Sequence, residues 1–388
     1  MSNIITNSTG YMQFGGIIQN QTRTIAIIQD ITLQIYENWI TQYINRSGQI
    51  IGQISTDSEN SIQNVCALDY LSTSSNIYMY GLIGLFSGQT LQIYSVSTEF
   101  YYISGDLDLI GTFGYIQGLK LVIYNADIIM QMQMNNTGYQ AGVLFAVIMS
   151  QSWQVGNITV KNSLVSSYLC SGLITSYMNQ GSFNQIYIYS SSAISNSTSL
   201  YSLSGALSGD STGGLSRDTI INQIYVFNVS IATYSQGIWS ISGGLVGDTH
   251  EANTYIQNVQ IVYSTITSNG PITSSVQSAG LIATLYNAIT NIQNTIINSS
   301  NISSSTTTKH AFSGGLLAAV TTQITIANSK IISVNLSASG VTYDIGTIFS
   351  NLVSFTATQL RSEGVNTVNG AIVTNCGNIQ NFGAQNGC

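Results

Sequence analysis

The chain has 388 residues, of which Lys+Arg contribute 8 and Asp+Glu 15, so only 6% is charged and the net charge is -7. An ordinary soluble domain carries roughly four times that share of charge. With 44% hydrophobic residues and one proline, the composition excludes charge-driven disorder and collagen, and the negative balance excludes nucleic-acid binding through a basic patch.

The N-terminal stretch Met1-Ser2-Asn3-Ile4-Ile5-Thr6 has no basic segment followed by a long apolar run, so no signal peptide is visible. Residues 1–46, with Trp39, read as an N-terminal cap or an irregular first coil. From residue 47 to 365 a block recurs in which a small residue is followed by two apolar ones and another small one, clearest as Ser242-Gly243-Gly244-Leu245-Val246-Gly247. Anchored on Gly244, the block falls at Gly16, Gln49, Gly81, Gly111, Gly142, Gly172, Ala206, Gly244, Gly280, Gly315 and Gly346, a period of roughly 33 residues. Gly84, Gly114 and Gly247 are the second small residues of their blocks. A second element, apolar-x-Asn/Gln-apolar, alternates with the first, as in Ile62-Gln63-Asn64-Val65 and Ile256-Gln257-Asn258-Val259.

Within each block the period is two and β-branched and aromatic residues dominate, so the elements are strands. A repeat of about 33 residues broken by Ser/Thr/Asn/Gly clusters accommodates three strands and three corners. The predicted fold class is all-β, a parallel β-helix (β-solenoid) of about 11 coils. A single coil buries too few side chains to offset its own backbone entropy, so the coils must stack and share an apolar lumen. The glycines suit corners where backbones approach closely or φ is positive. Recurring Asn and Gln predict amide ladders along the axis, which also accounts for the missing charge: amides bond to their copies where like charges repel.

The candidate chemical residues follow in chain order. Cys66 and Cys170 lie in apolar surroundings and are expected in the core, whereas Cys376 and Cys388 sit in the C-terminal tail of residues 366–388. Asp106 and Asp108 offer oxygen ligands at alternate positions, with a turn as the ordinary explanation. Asp210 and Asp248 occupy equivalent positions in successive coils, with Arg217, Asp218, His250 and Glu251 close in sequence. Stacking brings this pair together, and with Glu251 it is the candidate for glycoside hydrolysis or Ca²⁺-assisted polysaccharide cleavage. The ordinary reading places these acids on long solvated loops. His250 and His310 are expected on loops, neither a zinc site nor a Ser/His/Asp triad is readable, and no cofactor is implied. Tyr101-Tyr102, Tyr187/Tyr189 and Tyr225/Phe227 are candidates for stacking on sugar rings. Ten Asn-x-Ser/Thr sequons occur, about as many as the composition yields by chance.

The residues Gly81-Leu82-Ile83-Gly84 and Gly244-Leu245-Val246-Gly247 resemble the GLUG repeat of bacterial and protist secreted or surface proteins. At Gly172, Gly280, Gly315 and Gly346 the fourth position is instead Thr175, Ala283, Ala318 and Phe349, which marks a degenerate version of the pattern. The resemblance implies a parallel β-helix at the cell surface or outside the cell. The tail from Cys376 to Cys388 is similar to the opening of a Cys-rich module in surface proteins of single-celled eukaryotes, so the chain reads as a module of a larger protein. The expected function is that of a non-enzymatic, adhesin-like or structural stalk that contacts glycans or cell-surface proteins. It has no transmembrane segment, and end-to-end self-association is open to it through exposed coil edges. The alternatives are a carbohydrate-active enzyme using Asp210 and Asp248 and a self-assembling filament.

Overall fold

The computed structural model describes the backbone of most of residues 2–373 apart from short connecting segments, and the side chains of residues 60–67, 82–101, 111–131 and most of 139–370. Among the described residues none is helical, and the strands form a parallel β-solenoid. The turn that starts at Trp239 shows the plan. Its strands are Trp239–Gly243, Val246–His250, Asn253–Val262 and Thr265–Asn269. Each pairs in parallel with its equivalent in the next turn, Ser275–Ala279, Ile282–Tyr286, Thr290–Asn298 and Asn301–Ser305. This turn therefore has four strands, one more than the expected three, whereas nearer the N-terminus the last three run together, as in Phe113–Gln133. The extra one is the short strand after the glycine corner, which in Ser208-Gly209-Asp210 has the composition of a turn.

The first strands of successive turns form one sheet of eleven strands, from Tyr11–Gly15 to Thr342–Gly346. The last seven of these begin at Gln140, Cys170, Ser202, Trp239, Ser275, His310 and Thr342, and side chains are described through the first six of the seven. Their regular step matches the period of the sequence blocks and lies within the range of stacked-repeat proteins. Tyr11–Gly15 joins Tyr43–Gly48 with a register shift between Met12 and Gln13. At the other end Asn366–Val368 folds back antiparallel on Ala371–Val373. Residues 374–388, with Cys376 and Cys388, lie outside the described residues.

The long third strands supply the apolar core. Phe183, Ile221, Ile256 and Ile292 stack in register, as do Ile188, Val226, Ile261 and Ile297, and each is at most 1% exposed. Burying each such side chain contributes about 1.5–3 kcal/mol. Trp153 fills the lumen against Phe183, their ring centroids 4.8 Å apart, and its indole N–H donates to Asn179 Oδ1 at 2.9 Å. Cys170 is buried as expected, but Cys66 is exposed. Its neighbours Val65 and Ala67 point inward, and the two-residue period of a strand then turns Cys66 out.

The lumen is not apolar throughout. Ser204, Ser242, Ser278 and Ser313, in register on the first strands and buried, donate to carbonyls of the fourth strands: Ala232 at 3.0 Å, Thr267 at 2.8 Å, and Ser303 and Ser337 at 2.6 Å. Thr233 meets Ser242 at 2.9 Å, Ser268 at 3.0 Å and Ser240 at 2.9 Å. A hydroxyl seam thus joins the first and fourth strands, where a buried polar group is tolerated because its partner is supplied by the same turn.

Glycine and asparagine divide the corners between them. A Cβ on Gly205, Gly243 or Gly314 would overlap the carbonyl oxygen of Ser208, Val246 or Leu317, three residues ahead. These corners therefore need glycine for close approach and not for positive φ. The left-handed conformation goes instead to Asn157, Gln185, Gln223, Asn258 and Asn294, which kink successive third strands at φ between 50° and 59°. Asn is the L-residue that best tolerates this region. Here the expected amide ladder forms: Asn222 Nδ2 donates to Asn184 Oδ1 at 3.0 Å, Asn258 to Asn222 at 2.9 Å and Asn294 to Asn258 at 3.1 Å.

The repeat anchors need one correction of register. Gly142 and Gly172 pair with each other, Gly172 pairs with Gly205 and Gly205 with Gly243, and Gly314 pairs with Gly346. Gly142, Gly172 and Gly346 are thus equivalents of Gly243 and not of Gly244. Gly244 and Gly280 follow that corner residue, and a Cβ on either would overlap the carbonyl of Gly280 or Gly315 in the next turn. Gly111 is buried at the same bend, whereas Gly16 and Gly81 lie outside the described residues. Gly84, Gly114 and Gly247 lie on the second strands in one column with Gly209, where a Cβ on Gly247 would press on Ser204.

Candidate functional site

Asp210 belongs to the strand Ser208–Thr212 and Asp248 to Val246–His250, and the parallel register sets them opposite each other. Both follow a corner glycine by five residues, Gly205 and Gly243, and Tyr177 stands at the same offset from Gly172 and opposite Asp210. The expectation of solvated loop acids is therefore corrected. Ser-Gly-Asp reads as a turn in isolation, but pairing with the strands above and below holds it extended. His250 is likewise on a strand, and so is His310, which stacks on Phe312 with centroids 6.0 Å apart.

The Asp248 side chain is 5% exposed, and its Oδ2 lies 2.8 Å from His250 Nε2. The His250 ring stacks in turn on Tyr286, centroids 5.2 Å apart and planes 6° from parallel. The Oδ1 atoms of both aspartates are buried without a hydrogen-bond partner. Burial, reinforced by the charge of Asp248, pushes the Asp210 carboxyl up to about 7, with His250 and the Ser211 backbone opposing. Across the corner, Thr284, the residue paired with Asp248 in the next turn, donates to Gln277 Oε1 at 2.5 Å. The Gln277 column continues through Ile241 and Leu203 to Cys170. Burial raises the Cys170 thiol well above its ordinary value, and both carboxylates add to the shift. Tyr201 is pushed up to about 12, first by burial, then by Cys170 and Asp210. Burial also raises Tyr177, whose hydroxyl meets Thr212 Oγ1, and Tyr286.

The other expected site residues do not join this cluster. Arg217, Glu251 and Asp106 lie outside the described residues, as does the side chain of Asp108 on the strand Leu107–Ile110. Asp218 accepts from Asn253 Nδ2 at 3.2 Å on the surface. Among the described residues no group of three His, Cys, Asp or Glu side chains is placed to hold a metal ion.

A second feature runs along the outer face of the third strands. Tyr189 and Tyr225 have centroids 5.7 Å apart, Tyr225 and Phe227 stack at 6.2 Å with planes 7° apart, and Phe227 meets Tyr263 edge-on at 5.6 Å. Tyr263 also lines a hollow of about 470 Å³ at the next corner, with Ser190, Asn228, Ser230 and Thr265 among its walls. The hollow carries no charged side chain and is separate from the carboxylate pair, which lies on the second strands.

The sequence reading missed the hydroxyl seam and the company of Cys170, Tyr177 and Tyr201 around the aspartates. A signal for the seam is present: Ser171, Ser204, Ser242, Ser278 and Ser313 each immediately precede the corner residue.

Four-stranded turns stacked in parallel, with side-chain ladders along the axis, define a parallel β-solenoid repeat protein. The chain matches no protein-family model, no curated protein and no solved structure. Among the described residues no helix is long and apolar enough to cross a membrane.

Proposed function

We propose that the chain is a non-enzymatic solenoid of GLUG type, extracellular or on a cell surface, which acts as an adhesin-like or stalk module and binds neutral glycans along its aromatic face. The observation that carries this reading is the row Tyr189, Tyr225, Phe227 and Tyr263 beside a hollow walled by hydroxyls and amides. Sugar rings present apolar C–H faces that stack on aromatic rings, and their hydroxyls pair with Ser, Thr and Asn without any need for charge. A rigid rod keeps these groups at a fixed spacing, which lowers the ordering cost of binding an extended chain.

Titration calorimetry with a panel of neutral oligosaccharides tests the proposal. Tyr263→Ala and Phe227→Ala should each weaken binding about tenfold. Unchanged affinity in both, or no binding to any neutral glycan, would overturn it. The same panel examines hydrolysis by Asp210 and Asp248, a reading favoured by the raised Asp210 carboxyl beside a second acid. Against that reading, Asp248 has almost none of its side chain open to a sugar. Release of reducing ends that disappears in Asp210→Asn would establish the enzyme in its place.

A further inference from the structure

We propose that Asp210 and Asp248 together form one proton-binding site, in which the carboxylic acid of one turn donates its hydrogen to the carboxylate of the next and His250 connects the pair to solvent. The register places the two residues on neighbouring strands, about 4.8 Å apart. Each has one oxygen buried without a partner. A carboxylate only accepts hydrogen bonds, so two ionised side chains at this spacing leave both oxygens unsatisfied and repel each other in a dry environment. One shared proton removes both faults: the protonated oxygen becomes a donor and the pair carries a single charge.

The surroundings leave little else to do this. Among the described residues, the titratable groups facing the pair are Cys170 from the first strands, Tyr177 from the preceding second strand, Tyr201 at the corner before Ser202, and His250 and Tyr286 beside Asp248. Burial keeps the thiol and the three phenols protonated, and neither kind of group carries a positive charge in any form. Among the described residues no third ligand stands ready for a metal ion. The His250 side chain is 39% exposed and sits on Asp248 Oδ2. The proton therefore has a path: from the buried pair to the imidazole and on to water.

The consequence is a clamp between adjacent turns that holds below neutral pH and opens above it. When the proton leaves, the strands Ser208–Thr212 and Val246–His250 carry two like charges in register. The site is independent of the glycan-binding face and stands or falls apart from it.

Difference infrared spectroscopy on the intact chain tests the idea directly. At about pH 6 the wild type should show a protonated-carboxyl band that disappears by about pH 8 and is absent from Asp210→Asn. The apparent thermal midpoint of the wild type should fall by about 2 °C over the same range, while that of Asp210→Asn stays level. Absence of the band at pH 6, or an equal fall in the variant, would overturn the proposal. A midpoint at pH 8 that Ca²⁺ raises in the wild type but not in Asp248→Asn would also overturn it, by making a cation the occupant. Should Asp248→Asn fail to fold, the wild-type band and its loss in Asp210→Asn still decide.

Discussion

The amide ladder through Asn184, Asn222, Asn258 and Asn294 and the pair Asp210–Asp248 are built alike: a polar side chain meets its own kind one turn away, in register except at Asn222, which faces Gln257 and bonds to the next residue, Asn258. An amide carries a donor and an acceptor, so each member gives to one neighbour and takes from the other, and the ladder extends without limit. A carboxylate has nothing to give. The acid column stops after two members, with Tyr177 before it and Thr284 after it, and the Asp210 carboxyl is raised toward neutrality where the amides need no adjustment. A stacked fold thus filters side chains by their ability to bond to themselves. This gives the chain's 6% charge content a physical cause.

The glycine corner five residues before Asp248 is the most sensitive point. Gly243→Ala sets a Cβ into the carbonyl of Val246 and should cost about 4 kcal/mol or more, seen as loss of the cooperative urea transition. Retention of wild-type stability would mean that the corner opens freely. Asp210→Asn turns the carboxylate step into an amide step and should stabilise the chain at pH 8 by up to about 4 kcal/mol, measured by urea denaturation. The sign follows from the raised carboxyl. The folded state holds the proton up to about pH 7 and the unfolded chain only to about 4, so the penalty is absent below 4, grows between 4 and 7 and is complete above 7. A variant no more stable than the wild type at pH 8 would remove the contrast between the two ladders.

Thr233→Val keeps the shape but removes the hydroxyl that joins Ser240, Ser242 and Ser268 and takes from Ser240 the acceptor it donates to, which should lower stability by about 2 kcal/mol and speed amide exchange in the first and fourth strands. The smallest effect belongs to the reverse exchange. Asn258→Asp puts a carboxylate opposite the Asn222 oxygen, at an exposed position where water screens it. The loss should be about 0.5–1 kcal/mol at neutral pH and should vanish on acidification, when the acid again donates. A larger loss would show that the amide ladder is more than a surface device.

Much of this was legible in the sequence, and the misses have causes. Corner glycines and Asn/Gln kinks recur once per turn, so their period reports the solenoid directly. The register slipped by one at Gly142, Gly172 and Gly346 because Gly243-Gly244 offers two glycines to align on and single glycines do not say which they match. The second strand was hidden because Ser208-Gly209-Asp210 has turn chemistry, which pairing on both sides overrides. Cys66 looked buried by its neighbours and is exposed by its parity.

The sequence by itself determined the parallel solenoid, its step and the amide ladders, because each is written many times at a fixed interval and contacts along the axis join equivalent positions. Only the tertiary structure decided what meets across the section of a turn: the serines of the first strands with the fourth strands, and Cys170, Tyr177, Tyr201 and His250 around the two aspartates. Those meetings depend on the angles of the corners, which are set by packing and close approach at glycine, whereas a period along the chain reports what stacks along the axis and not what faces it across the turn.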